Sequence, residues 1–257
     1  MSRVALVTGA ARGIGAATVR ALAAEGWSVV AVDRASPDSR LPYAMSSADQ
    51  LEALAGDRIA VAHADVTDQG ALAALAADVI DRHGGLDAVV AGAGVIAGGV
   101  PLWEMPDEQI EAVLDVDLHG VIATARAAIP ALLARPEPRD GRFIAIASVA
   151  AMRGLSMLSA YSAAKAGVVG LVRGLAVELR GSGVTANAVS PGSTKTPILD
   201  ESARLYGLES PEGFAAQHPI ERLLDPAEVA AFIVWLAGPA GASVTGANLP
   251  VDGGLSL

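Results

Sequence analysis

The chain has 257 residues, 52% of them apolar, and a formal net charge of −10. That length suits one α/β domain with a sizeable core, and the acidic balance argues against nucleic acid or an anionic membrane as partner, since both repel it. There is no cysteine, so disulfides, zinc thiolate sites and cysteine nucleophiles are excluded.

The start, MSRVALVTGAARGIG, has an apolar run of only a few residues before a Gly loop. It does not read as a signal peptide. No stretch approaches the length of an uncharged membrane span. The expectation is a soluble, cytoplasmic protein.

In chain order, short Val/Ile/Ala-rich runs predict strands at Val4–Thr8, Ser28–Asp33, Ile59–Ala64, Ala88–Ala91, Phe143–Ala147, Thr185–Val189 and Asn248–Val251. Longer Ala/Leu-rich runs predict helices at Ile14–Glu25, Ala71–Arg82, Asp107–Leu133, Ser159–Leu179 and Pro226–Ala237. The strands are apolar throughout, as a sheet buried on both faces requires. The βα alternation predicts an α/β chain, residues 1–257, with one doubly wound parallel sheet of about seven strands and helices on both faces: a single-domain Rossmann fold. Asp107 and Asp225 are the expected N-caps, the latter followed by Pro226, and Gly26 and Gly181 follow helix ends. Two segments stand out. Residues 35–50 read as an inserted loop, with two prolines and several serines. Residues 195–224, within a substrate loop of about 193–224, are long and broken by Pro and Gly, as lids often are.

The first strand runs into Thr8-Gly9-Ala10-Ala11-Arg12-Gly13-Ile14-Gly15 and then a helix. Gly9 allows the tight turn, Gly13 lets backbone approach a pyrophosphate, and Gly15 permits close helix–strand packing; the helix amides then face phosphates. Asp33, at the tip of the second strand, can accept from both adenosine ribose hydroxyls and would repel a 2′-phosphate, which favours NAD over NADP. Arg34 is a counter-signal. Asp65, followed by Val66, is placed for the adenine amino group. Ser148 ends the fifth strand, and Tyr161 and Lys165, four apart, share one helix face. A phenol titrates near 10 in water, and a neighbouring ammonium favours its anion. The pair is an acid/base device for an alcohol proton, with Ser148 holding the substrate oxygen.

Thr8–Gly15, Asp65, Ser148, Tyr161, Lys165, Asn187–Gly192, Thr196 and the ending Val251-Asp252-Gly253-Gly254 resemble the short-chain dehydrogenases/reductases over essentially the whole chain. The resemblance implies an NAD(H)-dependent alcohol dehydrogenase or ketoreductase with a small-molecule alcohol or ketone as substrate. It makes Tyr161 the catalytic acid/base, has Lys165 bind the nicotinamide ribose and tune Tyr161, and has Ser148 orient the substrate. It places Arg12 and Ile14 of the Gly turn, Val66, and Ala91, Gly92 and Ala93 at the cofactor. The loop with Pro191, Gly192, Thr194 and Thr196 holds the nicotinamide carboxamide. It also implies a homotetramer.

Two departures matter. Ala91-Gly92-Ala93-Gly94 stands where the family usually has Asn-Asn-Ala-Gly, and Asp117 replaces the family's fourth catalytic residue, an Asn whose main-chain carbonyl holds a relay water. With the 35–50 insertion, these look like the mycofactocin-associated branch, whose members are thought to hold NAD tightly and pass electrons to a peptide-derived redox carrier. The alternatives are an ordinary, freely exchanging 3-oxoacyl/ketone reductase type and a cofactor-binding scaffold without catalysis; the intact Ser148, Tyr161 and Lys165 speak against the scaffold. An epimerase-type relative would want a larger C-terminal substrate domain. His63, His83, His119 and His218 lack metal-ligand spacing, so no metal is expected. Val95, Trp103, Met152, Leu155 and Met157 are candidates for an apolar substrate pocket.

Overall fold

The computed structural model describes residues 2–257. Seven strands form one parallel sheet in the order β3-β2-β1-β4-β5-β6-β7. They are β1 Val4–Thr8, β2 Ser28–Asp33, β3 Ile59–His63, β4 Ala88–Ala91, β5 Gly141–Ile146, β6 Val184–Pro191 and β7 Asn248–Val251. The α/β Rossmann reading holds. β1, β4 and β5 are buried along their whole length, Arg142 of β5 included, as in a sheet covered on both faces.

Helices cover both faces. Val79 of α3 (Gln69–His83), Ala125 of α5 (Gly120–Leu133) and Val168 of α6 (Ser159–Glu178) pack in one core layer. Val19 of α1 (Gly13–Ala24) and Ile233 of α8 (Pro226–Ala237) pack in the other. The expected Asp225 cap is a full capping box with Glu228, and Pro226 opens the helix. The other cap differs: Pro106 occupies the N-cap of α4 (Asp107–Leu114), without a side-chain bond, and Asp107 is the first helical residue. There its charge still favours the helix dipole.

Three further differences bear on the site. The expected helix Asp107–Leu133 is interrupted by a π turn over Asp115–His119. A π turn widens one turn and re-aims its side chains, a change the 3.6-residue period conceals. The 35–50 segment is a loop only up to Ser47, which caps a short helix α2, Ala48–Glu52, through a capping box with Gln50. The 195–224 segment contains α7, Pro197–Leu205, capped by Thr196, and a 3₁₀ stretch at Pro211–Gln217. Its ends are clasped, since the Lys195 amide donates to Leu224 O at 2.9 Å and the Leu224 amide to Ser193 O at 3.0 Å.

By length and hydropathy alone, Asp107–Leu133 and Ser159–Glu178 could cross a membrane. Both contribute to the core against the sheet.

The strand order reverses between β1 and β4, and a cleft opens at their carboxyl ends, the usual ligand position in such sheets. The two strand tips are tied by Thr8 Oγ1, which accepts from the Gly92 amide at 3.1 Å. Close approach here demands glycine. A Cβ on Gly9, whose φ is +68°, would lie 2.5 Å from Gly92 O; one on Gly15 would lie 2.0 Å from Gly9 O.

Candidate active site

A single cleft of about 500 Å³ runs across the strand tips. It brings together Gly9, Arg12, Gly13, Ile14, Gly15, Asp33, Asp65, Val66, Gly92, Ala93, Ser148, Tyr161, Lys165, Pro191, Gly192, Thr194 and Thr196 from the sequence-selected set. Two members of that set stand outside its wall. Ala91 belongs to the core layer beneath β4. Asp117 is fully buried behind the cleft, 3.3 Å from Lys165 Nζ. Of the apolar pocket candidates, Val95 and Leu155 line the cleft, whereas Trp103, Met152 and Met157 are exposed and do not.

At the nucleotide end, the N-cap residue Arg12 gives α1 no side-chain cap bond, which leaves its first-turn amides to an incoming anion. Gly13 faces Thr196 across the cleft, and a Cβ there would come within 3.1 Å of the Thr196 methyl. A dinucleotide's phosphates fit this cradle. The Asp33 carboxylate accepts from the Ala11 amide (3.0 Å), the Ala35 amide (2.9 Å) and Ser46 Oγ (2.7 Å). Arg34, the counter-signal, is spoken for: it reaches Asp65 Oδ2 at 3.1 Å and Asp38 Oδ2 at 3.4 Å. Asp65 also accepts from the Thr67 amide and hydroxyl, so its carboxylate is more heavily engaged than the adenine role assumed. Desolvation raises its pKa, but these bonds and Arg34 outweigh that and lower it overall.

Sequence reasoning missed a second layer. Within the 35–50 segment, Ala44 O accepts from Arg12, Tyr43 Oη accepts from the Ile96 amide at 3.0 Å, and Arg40 pairs with Asp38 and, at 2.8 Å, with Asp115. The Arg40 bonds hold the Asp38 carboxyl at about 2. Burial pushes the Tyr43 phenol well above its ordinary value, which keeps it neutral. Serines and prolines marked this segment as a loop, and nothing local marks which of its side chains reach across the fold. The spacing of the histidines also gives no role to His218, whose ring accepts from the Ser193 amide at 3.1 Å and steadies the loop after β6. The C-terminal Asp252 backbone presses on the same loop, since a Cβ on Gly192 would meet Asp252 O at 2.7 Å.

The reacting centre joins three elements. Ser148 follows β5, with Oγ accepting from the Ala150 amide at 3.1 Å. Tyr161 and Lys165 project from α6, with Lys165 Nζ 5.6 Å from the centre of the Tyr161 ring. The π turn supplies Asp117. Its Oδ1 accepts from the Val95 amide (3.0 Å) and lies beside Lys165, which donates to Ile146 O at 3.2 Å. Asp117 Oδ2 is buried without a hydrogen-bond partner.

The charges explain one another. Burial raises the Asp117 carboxyl to about 6, although Lys165 and the Val95 amide pull the other way. Burial would lower Lys165, but Asp117 and Tyr161 more than offset it and the ammonium is held. For Tyr161, burial and Asp117 raise the phenol above its ordinary value against the pull of Lys165 and of Ser148, which approaches closely enough to favour the anion. The centre therefore holds a neutral phenol beside a carboxylate–ammonium pair at mildly alkaline pH.

This is the architecture of a nucleotide-linked oxidoreductase. Residues 9–256 match the family model described as enoyl-(acyl carrier protein) reductase, and the chain belongs to the short-chain dehydrogenase/reductase family. Among its relatives, cis-4-hydroxycyclohexanecarboxylate dehydrogenase of Sinomonas cyclohexanicum is 39% identical over 98% of this chain and 96% of that protein. (−)-trans-Carveol dehydrogenase of Rhodococcus erythropolis is 34% identical over 99% and 98%. The solved structure of carveol dehydrogenase from Mycobacterium avium in complex with NAD superposes with a TM-score of 0.92 at 33% identity, covering 98% of this chain and 97% of that one.

Proposed function

We propose that this protein is an NAD(H)-dependent dehydrogenase that interconverts a secondary alcohol and its ketone. The observation that carries the reading is the meeting of Ser148, Tyr161 and Lys165 in the cleft that begins at the Gly turn. NAD, when bound, supplies the hydride acceptor, and its reduced form the donor. In oxidation the substrate carbon would give up a hydride and its hydroxyl proton would pass to Tyr161 in its ionised form, the form Lys165 favours; in reduction the neutral phenol would supply the proton. Ser148 holds the substrate oxygen. Lys165, beside the phenol, favours its anion and binds the nicotinamide ribose. Asp33 takes the adenosine ribose hydroxyls. Because Arg34 is tied to Asp38 and Asp65, it is not free for a 2′-phosphate, which supports NAD over NADP. Pro191, Gly192, Thr194 and Thr196 hold the carboxamide. The outward faces of α6 and α8 leave Val177 and Trp235 exposed, in keeping with assembly as a homotetramer, which sedimentation tests.

Tyr161→Phe checks the chemistry. Turnover is expected to fall roughly 10²–10⁴-fold with NAD still bound, measured by steady-state kinetics and calorimetry. Unchanged turnover would remove the mechanism.

One observation favours a retained cofactor re-oxidised in place by a peptide-derived carrier of the mycofactocin kind. The 38–46 strap is bonded to Arg12, Asp33, Ile96 and Asp115, bonds that would hold it over a bound adenosine. The protein as purified is then expected to carry NAD through gel filtration. Complete loss of nucleotide, with free turnover on added NAD, counts for the freely exchanging ketoreductase type.

A further inference from the structure

The end of the cleft beyond Tyr161 is built unlike the rest. Its walls are Leu155, Leu158, Tyr206, Phe214 and Leu255, with Leu208 at the rim. Of the polar side chains near this end, Tyr206 Oη donates to Ser156 O at 2.6 Å and Ser202 Oγ to Ile198 O at 2.8 Å, while Gln217, three residues after Phe214 on the cleft lining, is a neutral amide. The cations that line the cleft are Arg12, Arg34 and Lys165. Each is engaged, and each lies at the nucleotide end or the reacting centre. Outside the wall, Arg153 donates to Leu255 O at 2.5 Å and Arg204 forms two bonds to Glu201. Among the described residues, no cation forms part of the apolar wall.

A carboxylate entering such a wall would lose its water without gaining a cation, and the neutral amide of Gln217 offsets only part of that cost. The chain's net charge of −10 adds long-range repulsion. A hydrocarbon ring gains from the same surface. Resting on the dehydrogenase reading above, we propose that the site selects a neutral, predominantly hydrocarbon alcohol or ketone and discriminates against hydroxy and keto acids. Its substrate class then differs from the one for which the 39%-identical relative is named.

The test compares 4-methylcyclohexanone with 4-oxocyclohexanecarboxylate, near-isosteres that differ in charge, on the full-length protein with NADH at pH 7.5. Two measurements run side by side: kcat/KM, and calorimetric Kd of the matching alcohols with NAD. The neutral member is expected to be favoured by about 100-fold or more in both, as suits an unpaired buried charge. In Arg153→Gln the ratio between the two compounds should be unchanged. Equal or better use of the acid, absence of binding by the neutral compound, or loss of acid activity confined to Arg153→Gln would each overturn the proposal. Failure of the dehydrogenase reading looks different: the neutral compound binds preferentially, but no Tyr161-dependent turnover accompanies it.

Discussion

The two ends of the cleft are held together by different forces. The nucleotide end is a web of charge-assisted hydrogen bonds in which Asp33, Arg34, Arg40 and Asp38 each have at least one bonded partner. The substrate end is apolar packing, with Phe214 set edge-on to Tyr206 at 6.0 Å between ring centres. Directional bonds suit a constant ligand with fixed donors and acceptors; apolar walls suit a ligand chosen by shape and neutrality. The division implies that each end can be damaged without the other.

The largest separable effect belongs to Asp33→Ala. If the carboxylate serves the ribose as proposed, its removal is expected to weaken NAD about 10- to 100-fold, as for a charge-assisted bond, and to narrow the preference over NADP. Calorimetry measures both, while KM for the ketone at saturating NADH should stay near the wild-type value. A large rise in that KM would show that the two ends are coupled.

Phe214→Ala is the converse. The ring is buried with Leu199, Ala203 and Leu223 in a small satellite cluster, so the loss falls on the 195–224 segment. KM for a neutral ring ketone is expected to rise about tenfold, the equivalent of losing part of a buried aromatic wall, with NAD affinity unchanged. A melting curve guards against global unfolding.

Tyr43→Phe probes the strap. Its loss strands the Ile96 amide and removes one bond of about 1 kcal/mol, so NAD should leave roughly fivefold faster in stopped-flow chase experiments. No change in the off-rate would mean that the strap does not restrain the nucleotide.

The contrast also explains what could be read in advance. The apolar β runs and capped helices follow from local pattern, so the sheet and both helix layers were legible. So was the Gly turn, because tight turns and close packing leave few residue choices. Tyr161 and Lys165 were legible because helical spacing fixes their shared face. The strap's anchors were not, since Arg40–Asp115 and Tyr43–Ile96 join positions far apart in sequence. The π turn was hidden too: Asp115–His119 carries the same hydrophobic period as its neighbours, and only tertiary contacts choose the wider turn. Asp117 could be flagged as unusual, but its burial and its unpartnered Oδ2 required the fold.

Asp117→Asn produces the smallest change in rate at the optimum and the most specific change in its pH dependence. With its pKa raised to about 6, Asp117 is neutral below that pH and ionised above it. Ionised, it offsets Lys165 and helps hold Tyr161 above its ordinary value. Tyr43 is the other titratable side chain that senses it, and it stays neutral throughout. Asparagine cannot ionise, so Lys165 acts on the phenol unopposed. The alkaline inflection of kcat/KM for alcohol oxidation, where Tyr161 must accept a proton, should therefore move to lower pH, and any inflection near 6 should vanish. Stability carries the same signature. A carboxyl whose folded pKa lies above its unfolded value stabilises fully below the unfolded value, and that contribution is lost as pH rises through the folded one. Wild-type melting temperature should thus fall between pH 4 and 6 by a step that the variant lacks. If both profiles superimpose on the wild type, Asp117 does not titrate in that window and the buried pair leaves the phenol untouched.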